Sequence, residues 1–132
     1  MIASLQMYKR PELTDAHAHF WSLISHNLIE LGITAPRELN QDKEVMEVWM
    51  DPDLVLSQTC GMPYRKFLHE KVNMVGTPIY DLEGCPPGYY QSCIVVRKNE
   101  TGSDLSELCH KRFAFNEETS QSGYAAPLTH AA

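Results

Sequence analysis

Short apolar runs alternate with longer mixed stretches along the chain, and the spacing of the apolar positions changes from one run to the next. Ile2 to Tyr8 is apolar and ends at Lys9-Arg10-Pro11, which predicts a buried strand passing into a loop. Pro11 and Glu12 then open a helix. Leu13, Ala16, Phe20, Ile24, Leu28 and Leu31 recur at helical steps, and Gly32 supplies the stop. Residues 33–52 are weakly patterned, with one short helical turn expected from Glu44 to Trp49. Asp53 to Ser57 reads as a second buried strand, and it delivers Ser57-Gln58-Thr59-Cys60-Gly61 to its C-terminal end.

Beyond that point the pattern predicts a short helix over Pro63 to Glu70, with Pro in its first turn, and a third strand over Val72 to Thr77. Gly84, Pro86, Pro87 and Gly88 make Asp81 to Gly88 a loop. Tyr89 to Arg97 carries Ile94, Val95 and Val96 and predicts a fourth strand. Ser103 is the expected N-cap of a helix from Asp104 to about His110, with Glu107 near the capping-box position. Arg112 to Asn116 predicts a fifth strand, and a last helix starts after Glu117 to Gly123. Strands alternating with helices imply an α/β fold, a mostly parallel sheet flanked by helices. In such sheets ligands bind beyond the C-terminal ends of the strands.

Composition narrows the function classes. At 132 residues there is room for a single core, and 43% hydrophobic with 21% charged residues argues against wholesale disorder. A net charge of −6 argues against a nucleic-acid surface, which needs clustered Lys and Arg. It does not argue against a small anion, because a helix N-terminus binds one without net positive charge. Cys60, Cys85, Cys93 and Cys109 contain no C-x-x-C pair, so zinc and thioredoxin-like readings lack support and free, mostly buried thiols are expected. The basic residues near the N-terminus follow the apolar stretch, the wrong order for a secretory signal. No apolar run reaches the length of a membrane span, so no direct membrane insertion is expected.

The sharpest local signal is Phe113-Ala114-Phe115-Asn116-Glu117-Glu118-Thr119-Ser120-Gln121-Ser122-Gly123-Tyr124-Ala125-Ala126. A strand, a polar turn with Ser120 and Ser122 flanking Gln121, and then Gly123 with small residues describe an anion site at a helix start. A plain Ser N-cap ahead of a surface helix describes the same residues. Two other constellations are weaker. Asp15-Ala16-His17-Ala18-His19 contains the H-x-H of barrel amidohydrolases. On a helix, though, residues two apart point about 200° apart, and a (β/α)₈ barrel takes roughly 250 residues. A thiol enzyme would use Cys60 with His69, but no third group orients that base. Trp21 and Trp49 read as core residues, and Arg65-Lys66 with Glu70-Lys71 as a solvated helix face. No metal and no cofactor is called for.

Four segments resemble one family. Asp53 to Tyr64 (Asp-Leu-Val-Leu-Ser-Gln-Thr-Cys-Gly-Met-Pro-Tyr after Pro52), Val75-Gly76-Thr77-Pro78, Gly84-Cys85-Pro86-Pro87-Gly88-Tyr89-Tyr90 and Ser120-Gln121-Ser122-Gly123 look like the phosphate, phosphite and phosphonate substrate-binding proteins of ABC transporters. Met7-Tyr8 followed by Arg10-Pro11-Glu12 fits as well. The resemblance runs from Met1 to about Pro127 and implies the two-lobed type II periplasmic-binding fold, with residues 1–97 as the first lobe and 98–132 as the beginning of the second. It implies that Ser120, Gln121, Ser122 and Gly123 hold the oxyanion from the second lobe. Ser57, Gln58 and Thr59 would face it from the first, Tyr8 would wall the cleft, and Thr77 and Tyr89 would lie beside it. Family members are roughly twice as long, so their remaining second-lobe groups fall later than residue 132.

The resemblance thus implies a non-catalytic binder of a phosphate-like oxyanion with an ABC permease as partner. Its alternatives are a small α/β enzyme using the same anion site, or a relative without a transport role. The resemblance implies the periplasm, while the N-terminal pattern, without a secretory signal, allows the cytoplasm. Phe113 and Phe115 on an unpaired strand would favour a homodimer through Arg112 to Ala126.

Overall fold

The computed structural model describes residues 1–102 and 104–131, so the cap expected at Ser103 lies outside the described residues. The chain is mixed α/β, with helices and one small parallel sheet. It divides into two compact units, Met1–Leu68 and His69–Ala132, and the lobe boundary expected at residue 97 falls inside the second.

In the first unit, strand β1 (Ile2–Ser4) pairs in parallel with β2 (Leu54–Ser57), matching Ile2 to Leu54, Ala3 to Leu56 and Ser4 to Ser57. Their pleat irregularity lies between Ile2 and Ala3. The strand expected over Ile2 to Tyr8 stops at Ser4, and Leu5 to Tyr8 does not continue it. The chain turns there into a 3₁₀ turn at Gln6–Tyr8. Helix α2 (Val45–Trp49) packs against both strands and buries Val48 and Trp49, close to the helical turn expected there. These two, with Ile2, Ala3, Leu5, Trp21 and Leu68, form the core. On the far edge of β1, Asn40 donates its N–H to the Ala3 carbonyl at 2.7 Å, and its own carbonyl accepts from Ser4 Oγ and Gln6 Nε2.

Helix α1 spans Thr14–Glu30 after a 3₁₀ turn at Pro11–Leu13, and Gly32 ends it at φ 77°, a left-handed conformation open to glycine. The helix is where periodicity places it, but its buried face is rotated. Trp21 and Ser25 are buried, while Phe20 is 51% and Leu31 76% exposed. The physical reason is the larger indole. Burying Trp21 removes more apolar surface than burying Phe20, and its Nε1–H reaches the Pro36 carbonyl at 3.1 Å, so no donor is stranded. The chain after β2 is helical from Gly61, earlier than the expected start at Pro63. It forms α3 (Gly61–Pro63), then a π-helical turn at Tyr64–Leu68.

One ion pair in this unit has a defined pH window. Lys43 Nζ lies 2.7 Å from Asp51 Oδ2, and the Asp51 side chain is 17% exposed. The hydrogen bond from Lys43, then the Asp53 N–H, hold the Asp51 carboxyl below its ordinary range, and Asp51 in turn raises Lys43. A depressed carboxylate adds stability above its unfolded pKa and loses it as pH falls through the folded value. A raised lysine adds stability below its unfolded pKa and loses it as pH rises through the folded value. Lys43→Met should therefore flatten the acid limb of the first unit's stability-versus-pH curve. An unchanged curve in denaturant titrations from pH 2 to neutral would refute the assignment.

The second unit carries less regular structure than the pattern predicts. Among the described residues, none of the strands expected at Val72 to Thr77, Tyr89 to Arg97 and Arg112 to Asn116 forms. Strand propensity is weak without a partner to complete the hydrogen bonds, and here β-branched residues stay in water, Val75 at 83% and Val95 at 86% exposure. The helix expected over Asp104 to His110 shortens to α4 (Leu105–Leu108), and Asp104 caps it. The Asp104 carboxylate accepts from the Ser106 N–H at 2.9 Å, and Glu107 reaches back to the Asp104 N–H at 3.2 Å. A π-helical turn at Gln121–Ala125 runs into α5 (Ala126–Ala131). The expectation that the cysteines are mostly buried does not hold: Cys60 and Cys85 are half-buried, and Cys93 and Cys109 are exposed. Among the described residues, no helix is long and apolar enough to cross a membrane.

Candidate functional site

Parallel pairing carries both strands of the first unit to the same end, where Ser4 and Ser57 face each other across the register. The segments that follow, Gln6 to Tyr8 and Gln58 to Cys60, therefore leave the sheet side by side. Ser57 and Gln58 line a crevice with Ser4, Gln6 and Met7, closed from behind by Val45, Val48 and Trp49. That crevice has no room for a water molecule. Tyr8 and Thr59 do not line it. Tyr8 is 50% exposed, and Thr59 is half-buried with its hydroxyl 3.3 Å from the Cys60 carbonyl.

Gln58 is held at two points and unsatisfied at a third. Its carbonyl accepts from Trp49 Nε1–H at 2.8 Å and from the Ser57 hydroxyl at 3.4 Å. Its side-chain Oε1 is buried without a hydrogen-bond partner, the one such side-chain atom among the described residues. An orphan acceptor of this kind costs about 1–3 kcal/mol, so the Gln58 amide gains by turning toward any donor or ligand offered to it. The sequence pattern placed Trp49 in the core and missed its contact with Gln58. The signal was present: a buried indole N–H needs an acceptor nearby.

At the other end of the pair, an open groove of about 530 Å³ is lined by Met1, Asn40, Glu38, Asp42, Lys43, Asp51, Asp53 and neighbouring residues. Its carboxylates outnumber its cations, which does not suit an oxyanion.

In the second unit, Ser120 is 5% exposed and acts as an N-cap. Its hydroxyl accepts from the Gly123 N–H at 3.0 Å, and its carbonyl accepts from the Ala125 N–H at 3.1 Å. The Gly123 N–H is therefore committed inside the turn and is not offered to a ligand, in the manner of an ordinary cap. Gly123 has a second constraint. A Cβ there would collide with the Asn116 carboxamide and lie 3.0 Å from Ser120 Oγ, so this position admits no side chain without movement. Gln121 and Ser122 are half-buried in the same turn. Phe115 stacks at a tilt on Tyr124, ring centres 4.9 Å apart, which ties the approach to the turn onto its far side. Tyr89 is 68% exposed, and Thr77 is exposed in irregular chain.

The expected site residues thus divide between the units: Tyr8, Ser57, Gln58 and Thr59 in the first, and Thr77, Tyr89 and Ser120 to Gly123 in the second. Each group can offer hydroxyls, amides and backbone N–H groups, and neither contains a general base with an orienting partner. Compared with known proteins, the chain matches no family model, no curated protein and no solved structure.

Proposed function

We propose that the chain binds a phosphate-like oxyanion (phosphate, phosphite or a phosphonate) without catalysis, as the solute-binding component of an ABC transporter. The observation that carries this reading is the parallel pair, which brings the polar Ser57-Gln58-Thr59 loop to a C-terminal strand end, the usual ligand edge of an α/β sheet. The resemblance of this loop and of Ser120-Gln121-Ser122-Gly123 to the phosphonate-binding family supports it, and so does the uncharged, donor-rich chemistry of both segments. On this reading the architecture is the two-lobed type II periplasmic-binding fold, and the ligand passes to a membrane permease. Oxyanions held by neutral hydroxyl and amide donors keep their charge and need no proton transfer, which fits capture and release. The net charge of −6 is no obstacle, because the local donors set the field at the anion.

The test is nitrogen–proton correlation spectroscopy of the full chain during titration with inorganic phosphate, phosphite and methylphosphonate. Amides of residues 57–59, or those of Gln121, Ser122 and Tyr124, should shift with at least one of them. Ser122→Ala should weaken that ligand about tenfold, equivalent to about 1.4 kcal/mol. If none of the three moves either segment, the oxyanion reading fails. If a ligand binds and Ser122→Ala leaves its affinity unchanged, Ser122 is no ligand contact.

A further inference from the structure

The hydrogen bond between Trp49 and Gln58 also decides which way the next amide faces. Trp49 is 8% exposed and fixed by α2 against both strands, and its indole N–H holds the Gln58 carbonyl at 2.8 Å. That carbonyl is thereby drawn inward, toward the packed layer. The described chain contains no cis peptide bond, and in a trans peptide the C=O and the following N–H point in opposite directions. The Thr59 N–H is therefore turned away from Trp49 and out of the core. It lies just beyond the C-terminal end of β2, on half-buried Thr59, while the crevice lined by Trp49 and Gln58 has no room even for water.

We infer that Trp49 is a positioning residue for oxyanion binding: by holding the Gln58 carbonyl inward, it presents the Thr59 amide as a pre-oriented donor to the ligand. This rests on the oxyanion reading above. The benefit is preorganisation. A peptide free to rotate must be ordered when the anion arrives, whereas one already fastened to a buried indole adds its hydrogen bond at little further entropic cost. The Ser57 hydroxyl, 3.4 Å from the same carbonyl, assists weakly.

Trp49→Phe keeps an aromatic ring in the core while removing the N–H and part of the indole's bulk, so the Thr59 response, read against Ser122, and not affinity alone, reports the donor. In the full chain titrated with phosphate, phosphite and methylphosphonate, the wild type should show the Thr59 amide moving toward the shifts of a charged hydrogen bond. In Trp49→Phe the affinity should fall about tenfold and the Thr59 response should shrink, while Ser122 still responds. An unchanged midpoint with an unchanged Thr59 shift overturns the positioning role and leaves the oxyanion reading standing. No response in the wild type at Thr59 or Ser122 with any of the three overturns both. Should Trp49→Phe fail to fold, the wild type answers alone. Coupling is reciprocal, so the bound anion should slow solvent exchange of the Trp49 indole proton several-fold. An exchange rate that ligand leaves unaltered rejects the inference.

Discussion

Trp21→Ala is expected to unfold the Met1–Leu68 unit at room temperature. Trp21 is 1% exposed, the largest fully buried side chain described, and it links α1 to the 36–43 segment through the Pro36 carbonyl. Truncating a buried tryptophan to alanine costs about 3–5 kcal/mol in lost transfer energy and residual cavity. A folded unit of this size holds on the order of 3–10 kcal/mol in total, so the loss consumes most or all of it. Trp21→Phe should cost less, because an aromatic ring stays and only part of the indole's bulk and the bond to Pro36 are lost. Urea unfolding followed by the fluorescence of Trp49 measures both variants. A Trp21→Ala protein that keeps a cooperative transition within about 1 kcal/mol of wild type would show that this core is not the one that holds the unit. Loss of the transition in Trp21→Phe as well would show that the unit requires the full indole, its bulk together with its bond to Pro36.

Gly123→Ala should weaken the Gln121–Ala125 turn by about 1 kcal/mol, the lower end for overpacking, because the nearest obstacle is the end of the exposed Asn116 side chain. A single methyl there meets the Asn116 carboxamide at an impossible distance and the Ser120 hydroxyl at 3.0 Å, and Ser120 is the residue that caps the turn. The clash is with a side chain, so it has a specific remedy. Asn116→Ala combined with Gly123→Ala should restore the turn, and the double-mutant cycle should show strong coupling between the two positions. Carbon chemical shifts of residues 120–131 report the helix directly. Helical shifts kept intact in Gly123→Ala alone would mean that Asn116 yields freely, and the close approach would then have no structural consequence. The outcome also bears on the proposed site, since a glycine required by packing in this turn is not thereby a glycine required by a ligand.

The long helix α1, the strands around Ile2 and Leu54, the turn at Val45–Trp49 and the stop at Gly32 were all legible in the chain. Each depends on local causes: helical spacing over 17 residues, short apolar runs between breakers, and a glycine able to take φ 77°. The same holds for the polar composition of 57–59 and 120–123, which was visible before any geometry. What needed tertiary structure was everything set by a partner. Trp21 read as core by its type, but the apolar spacing set the buried face on Phe20. The face turned toward Trp21 because its larger indole buries more apolar surface and finds an acceptor at Pro36. The runs at 72–77, 89–97 and 112–116 have strand composition but form no strand, since a strand's hydrogen bonds are completed only by a neighbour. By its residues Ser120 reads first as an N-cap, and the fold shows that cap as a hydrogen bond from the Gly123 N–H to its hydroxyl. Trp49 read as simple core, yet its indole fixes the Gln58 peptide, because a buried donor must find an acceptor and only the fold determines which one lies within 2.8 Å.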